Sequence, residues 1–142
     1  MFGAFLLSLL AATGPMSSAA CARAVGATGA AYRLAELPQE IRENLAQLSN
    51  NEMADSGAPL VDSDSRSSDD PRATGRFKQG LLVHGTWFVS FEPAMMTPRT
   101  IGYVRSPDGR FRRSPLYYFA GPPCAAIAAA RNGVTTPGGF NF

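Results

Sequence analysis

Residues 81–91 of the chain read LLVHGTWFVSF, a run in which large hydrophobic side chains recur at every second position. The more hydrophobic set of positions holds Leu81, Val83, Trp87, Val89 and Phe91. The alternate set is more polar and holds Leu82, His84, Thr86, Phe88, Ser90 and Glu92. A period of two is typical of a β-strand with one buried face. We therefore expect one long strand here, bent at Gly85.

The residues that follow predict further strands of a small sheet. Residues 100–105 predict a second strand, and the sequence SPDG at 106–109 supplies the Pro and Gly of a tight turn. Residues 110–113 should run back antiparallel to that strand. A fourth short strand is expected at 116–119, after Pro115.

Two helices are predicted on either side of these strands. A stripe of hydrophobic residues at helical spacing predicts an amphipathic helix at about 38–49, and it consists of Leu34, Leu37, Ile41, Leu45 and Leu48. The Ala-rich residues 124–131 predict a second, short helix that ends at Asn132 and Gly133. The expected fold class is α+β: an antiparallel β-meander of three to four strands, an N-terminal amphipathic helix and a short C-terminal helix.

The first 22 residues have the organisation of a secretory signal peptide. An uncharged hydrophobic run at 2–12 is followed by a breaker and then by small residues. Eleven helical residues rise about 16 Å, which is less than a hydrocarbon core of roughly 30 Å. We expect export to the periplasm or beyond the cell, although an uncleaved membrane anchor stays open. Cys21 follows small residues and is a candidate for lipidation.

The rest of the chain divides by composition. Residues 23–51 hold the amphipathic helix, 52–75 predict an acidic disordered linker, 76–133 a small β-rich domain, and 134–142 a flexible tail. Cys21 and Cys124 are the two cysteines of the chain and could form a disulfide bond. Cleavage after Ala22 would remove one of them, so the sequence leaves their pairing open.

The charge is distributed unevenly along the chain. Residues 23–70 carry four Arg against nine acidic residues, whereas residues 71–142 carry nine basic residues against two acidic ones. One His and two distant Cys cannot make an ordinary structural zinc site, so no metal is predicted. No glycine-rich phosphate loop or dinucleotide motif is present, so no cofactor is predicted either.

A catalytic interpretation of the sequence depends on two residues. Cys124 is predicted at a helix N-terminus, where the helix dipole favours a thiolate, and His84 lies on a neighbouring strand. A small hydrolase or thiol enzyme that uses His84 and Cys124 is therefore one alternative. The simpler interpretation of His84 is a solvated side chain on the polar face of a strand.

A basic and aromatic surface is the stronger candidate for function. Its predicted ligand-binding residues are Arg105, Arg110, Arg112, Arg113, Tyr103 and Tyr117, with Tyr118 beside them. Guanidinium groups and aromatic rings suit anionic ligands. The simpler interpretation is a strand edge whose Arg residues prevent aggregation.

The leading functional prediction is therefore a non-catalytic periplasmic or cell-envelope interaction module. Its expected partner is an anionic envelope polymer or an acidic protein, with no nucleic acid, and with membrane contact only through the N-terminal segment. A structural envelope protein is a further alternative. A homo-oligomer also stays open, because a second chain could cover the apolar face of so small a sheet.

Overall fold

The computed structural model describes residues 17–62 and 69–135. Three α-helices occur there: α1 (Ser18–Val25), α2 (Gln39–Leu48) and α3 (Pro123–Arg131). The same residues contain six strands, which are β1 (Gly29–Ala31), β2 (Met53–Ala54), β3 (Gly75–Val83), β4 (Thr86–Pro93), β5 (Arg99–Arg105) and β6 (Phe111–Ala120). The α+β class is confirmed.

The six strands form one sheet in the order β1-β3-β4-β5-β6, with β2 beside β3. Strands β3 to β6 form an antiparallel meander, β1 adds antiparallel to β3, and β2 adds parallel to it. The expected number of three to four strands is too low. The two additional strands have three and two residues, too few for a period of two to be recognised.

The single long strand predicted across 81–91 is wrong, because the chain reverses at His84 and Gly85. Both residues have positive φ, 48° and 78°, as the central residues of a type I′ hairpin turn require. In the resulting register Leu82 pairs with Trp87, and Leu81 pairs with Phe88. Cross-strand partners share a face of the sheet.

The reversal places Leu81 and Val83 on the face opposite to Trp87 and Val89. Both faces are therefore buried, where one was expected. Helix α2 covers the face that holds Trp87 and Val89, which we call the first face. The side chains packed there form the first core, which includes Ile41, Leu45, Trp87, Val89, Phe91 and Ile101. Helices α1 and α3 cover the opposite, second face. The second core lies there and includes Cys21, Val25, Leu81, Val83, Phe88 and Ile127.

Strands β3 and β4 are also joined by an ion-pair cluster. Glu92 on β4 accepts hydrogen bonds from Arg76 and Lys78 on β3, with 2.6 Å between Lys78 Nζ and Glu92 Oε1. Burial opposes ionisation of this carboxyl, but the hydrogen bonds from Lys78 and Arg76 outweigh it and lower the pKa of Glu92. The cluster therefore stabilises the hairpin while the carboxylate is ionised.

Strand β6 is continuous, although two separate strands were predicted on either side of Pro115. Its register with β5 shifts between the pairs Ile101–Tyr118 and Tyr103–Arg113. A proline is tolerated there because β6 is the last strand of the sheet order and the ladder is interrupted at this point.

The acidic segment 52–75 has more structure than its composition predicts. Its described part contains β2, a bridge between Leu60 and Ala73, and the buried side chain of Val61. Arg72 forms ion pairs with Asp62 and Asp70. The prediction of a disordered linker is thus wrong for these residues, since polar contacts and strand pairing order the chain here. Residues 63–68 of the segment lie outside the described residues.

The ends of the chain bear on two further predictions. Residues 1–16 of the predicted signal peptide lie outside the described part, and so do residues 136–142 of the predicted tail. Of the predicted signal-peptide residues that the structure describes, 18–22 belong to α1, which packs on the second face of the sheet. Among residues 17–62 and 69–135, no helix has the length and apolar character needed to cross a membrane.

Candidate functional site: the Arg hairpin and its cleft

The tight turn predicted at 106–109 joins β5 to β6. Ser106 N donates to Arg110 O at 2.7 Å, and Gly109 N donates to Ser106 O at 2.9 Å. Gly109 has φ of 81°, which glycine adopts without steric cost. We name residues 105–113 the Arg hairpin, since they carry four Arg and a single acidic residue, Asp108.

Three arginines of the Arg hairpin are exposed, and each has a different environment. The Arg105 guanidinium lies 4.6 Å from the ring centre of Phe111 and donates to Gly109 O. Arg112 Nη2 donates to Asp108 Oδ2 at 2.8 Å. Arg110 makes no side-chain hydrogen bond or ion pair with any residue that the structure describes. Its guanidinium is therefore available to an external anion.

Asp108 is committed to the turn. Its Oδ1 accepts from Arg110 N at 3.0 Å while Oδ2 accepts from Arg112. The hydrogen bond from the Arg110 N–H, followed by that from Arg112, lowers the pKa of Asp108. The carboxylate thus stays ionised at neutral pH and neutralises one of the four guanidinium groups.

A polar cleft of about 490 Å³ separates the Arg hairpin from α2. The hairpin side contributes Arg110, Arg112 and Arg113, and α2 contributes Glu40, Glu43 and Asn44. Glu40 Oε1 accepts from Phe111 N at 3.1 Å, which ties the helix to the strand. The backbone N–H groups of Glu40 and Phe111, and then the charges of Arg110 and Arg105, lower the pKa of Glu40. The cleft therefore has an acidic wall and a basic wall.

The predicted tyrosines do not join the arginines on one face. Tyr103 is fully buried in the first core, and its hydroxyl donates to Asn44 Oδ1 at 2.6 Å. That burial raises the pKa of Tyr103. Tyr117 lies on the second face, with its ring 5.8 Å from that of Phe88, and Tyr118 packs against the first core. The three tyrosines therefore do not share one exposed face with the arginines.

The two cysteines are bonded to each other. Cys21 in α1 and Cys124 in α3 form a disulfide, with their Cα atoms 5.7 Å apart. A disulfide sulfur is not a thiolate nucleophile, so a His84–Cys124 dyad has no basis in this state. His84 itself is exposed in the β3–β4 turn. Cys21 is likewise not available for lipidation while the bond is intact.

The acidic wall of the cleft is not among the sites that the sequence predicts. Glu40, Glu43, Asn44 and Gln47 recur at helical spacing on the polar side of the predicted amphipathic helix. The helical spacing of these polar residues is visible in the sequence, but the sequence does not show that this side of the helix faces the Arg hairpin. Among residues 17–62 and 69–135 there is also no cluster of three or more His, Cys, Asp or Glu that could hold a metal ion.

Comparison with known proteins found no matching family model, no matching curated protein and no matching solved structure.

Proposed function

We propose that this protein is a non-catalytic interaction module of the cell envelope, which binds an anionic polymer through the Arg hairpin. The observation that carries this proposal is the exposed Arg110 guanidinium, which has no side-chain hydrogen bond or ion pair with the described residues. A guanidinium group already paired in the free protein must lose that partner before it binds an anion. The Arg110 guanidinium has no hydrogen-bond or ion-pair partner among the described residues to lose when it binds an anion.

Charge supports a polymeric ligand on the outer side of the Arg hairpin. Inside the cleft, Glu40 and Glu43 face the arginines, so a polyanion there would meet like charge. Within the Arg hairpin itself, four Arg stand against Asp108 alone. A flexible anionic chain that lies across the hairpin can contact several guanidinium groups without entering the cleft.

The disulfide supports the export part of the proposal. Structural disulfides form and persist in oxidising compartments such as the periplasm and the cell exterior. A mature chain that keeps the Cys21–Cys124 bond must retain Cys21. Mass spectrometry of the protein from its native host should therefore find a mature N-terminus at or before Cys21 and a Cys21–Cys124 cross-linked peptide. A mature N-terminus at Arg23 would contradict this form of the proposal.

Binding to the Arg hairpin can be tested with two polyanions, labelled poly-L-glutamate and dextran sulfate, by fluorescence anisotropy. Raising the ionic strength from about 0.1 M to about 1 M shortens the Debye length from about 10 Å to about 3 Å. The affinity of the full chain should fall steeply over this range. Arg110→Glu should weaken binding about tenfold, a change equivalent to about 1.4 kcal/mol.

Arg23→Glu is the matched control, because it makes the same charge change at an exposed position of α1, on the other side of the sheet. It should change the affinity less than Arg110→Glu. Equal losses in the two variants would show that net charge alone controls binding. Binding that does not respond to salt would contradict the proposal outright.

A further inference from the structure

A second cavity, of about 240 Å³, lies beside the disulfide on the opposite side of the sheet from α2. Its walls are mainly apolar, and they include Cys21, Gln79, Ser90, Pro98, Pro123 and Cys124. Proline rings and a disulfide have few rotatable bonds, so this part of the wall is rigid. The exposed residues Lys78 and Pro122 also line the cavity and mark its side toward solvent.

Ser90 supplies a hydroxyl that is completely buried and unpaired. Its side chain has no exposed surface, and its Oγ has no hydrogen-bond partner among the residues that the structure describes. The neighbouring polar groups already have partners: Gln79 Nε2 donates to Ser18 O at 2.9 Å, and Thr100 Oγ1 donates to Gly121 O at 2.8 Å. A buried hydroxyl without a partner costs folding free energy. A ligand that pairs with Ser90 would recover this free energy.

We propose that this cavity binds a small, uncharged and mainly apolar molecule whose single polar group forms a hydrogen bond with Ser90 Oγ. The size follows from the volume, since an engineered apolar cavity of about 150 Å³ in another protein binds benzene. A ring with one or two substituents therefore fits. The ligand is uncharged because the ammonium group of the nearby Lys78 is already paired with Glu92 at 2.6 Å and is not free to pair with an anion.

Phenol and toluene provide a direct test, because they have nearly the same shape and differ in a hydroxyl against a methyl group. Toluene is the more hydrophobic, so an apolar cavity without a polar anchor would bind toluene better. The Ser90 hydroxyl should reverse this order, so that the full-length protein binds phenol at least tenfold more tightly by NMR or calorimetric titration. Ser90→Ala should abolish the preference and bind toluene more tightly than phenol.

Two further variants make the test independent of folding effects. Ser114→Ala is the matched control, since Ser114 is also a buried serine but does not line the cavity; it should leave the phenol preference intact. Ser90→Thr keeps the hydroxyl and adds a methyl group to the cavity, so both ligands should bind more weakly. The proposal is overturned if wild-type protein binds neither ligand, if it prefers toluene, or if a folded Ser90→Ala variant retains the phenol preference.

Discussion

Removal of the disulfide should cause a large loss of stability in this protein. The bond joins residues separated by 103 positions. In the chain-entropy description, closing a loop of about 100 residues costs the unfolded chain about 4.7 kcal/mol at 25 °C. Domains of ordinary size unfold with a total free energy of only about 5–15 kcal/mol. Cys21→Ala with Cys124→Ala should therefore lower the free energy of unfolding by about 3–5 kcal/mol.

Urea denaturation followed by the fluorescence of Trp87 measures this change. Trp87 is the single tryptophan and is buried in the first core, away from the disulfide. Its signal therefore reports unfolding of the whole domain, whereas release of α1 alone would leave it unchanged. Hydrogen exchange should show the earliest loss of protection in α1, which the disulfide ties to α3.

A reducing agent provides the control for this prediction. Reduction should destabilise the wild-type protein to about the same degree as the double substitution, and it should leave the double variant unchanged. If the midpoint of the wild-type transition does not move on reduction, the bond does not hold the two helices as described. An equal effect of reductant on both proteins would show that it acts elsewhere.

Three substitutions test other parts of the fold. Gly102→Ala should destabilise the protein by about 2 kcal/mol in urea denaturation, because an added Cβ would lie 2.6 Å from Tyr117 Cβ. His84→Asn should stabilise it by about 1 kcal/mol, because asparagine tolerates positive φ better than histidine does. Glu92→Gln should make the acid-induced loss of stability less steep below pH 4.5, as followed by thermal melts across pH. The lowered pKa of Glu92 gives stability that is fully present above its ordinary value of 4.5 and is lost as the pH falls through the folded-state pKa.

Each of these predictions has its own comparison. Gly75→Ala adds the same atom to the sheet, but the nearest group is 3.8 Å away, so it should cost less than Gly102→Ala. His84→Asn should also leave polyanion binding intact; a loss of binding would assign His84 a role beyond the turn. An unchanged pH profile in Glu92→Gln would show that another carboxyl controls acid unfolding.

The sequence was informative where a single local signal determines structure. The hydrophobic stripe around Ile41 and Leu45 predicted α2, the Ala-rich run predicted α3, and Pro107 with Gly109 predicted the β5–β6 turn. The burial of Trp87 was also predicted correctly. These features depend on spacing or turn chemistry within a few residues.

The sequence was misleading where distant residues determine the structure. The hydrophobic period of two continues through His84 and Gly85, although the chain reverses direction there. The two-residue turn then places Leu81 and Trp87 on opposite faces of the sheet, where the period predicts one face. The sequence predicts Tyr103 on the ligand face. Its hydrogen-bond partner, Asn44, lies 59 residues away along the chain, so the residues around Tyr103 do not reveal this contact. The two walls of the cleft come from α2 and the Arg hairpin, so only the tertiary fold brings them together.

The most direct test of the proposed function is a ¹H–¹⁵N NMR titration of the full-length protein with poly-L-glutamate at low salt. The shift changes should concentrate at residues 105–113, with Arg110 among the largest, and they should disappear when the ionic strength is raised. Shift changes centred on α1, α3 or the β3–β4 turn would place the binding surface elsewhere. No change at any concentration would contradict the claim that the Arg hairpin binds polyanions.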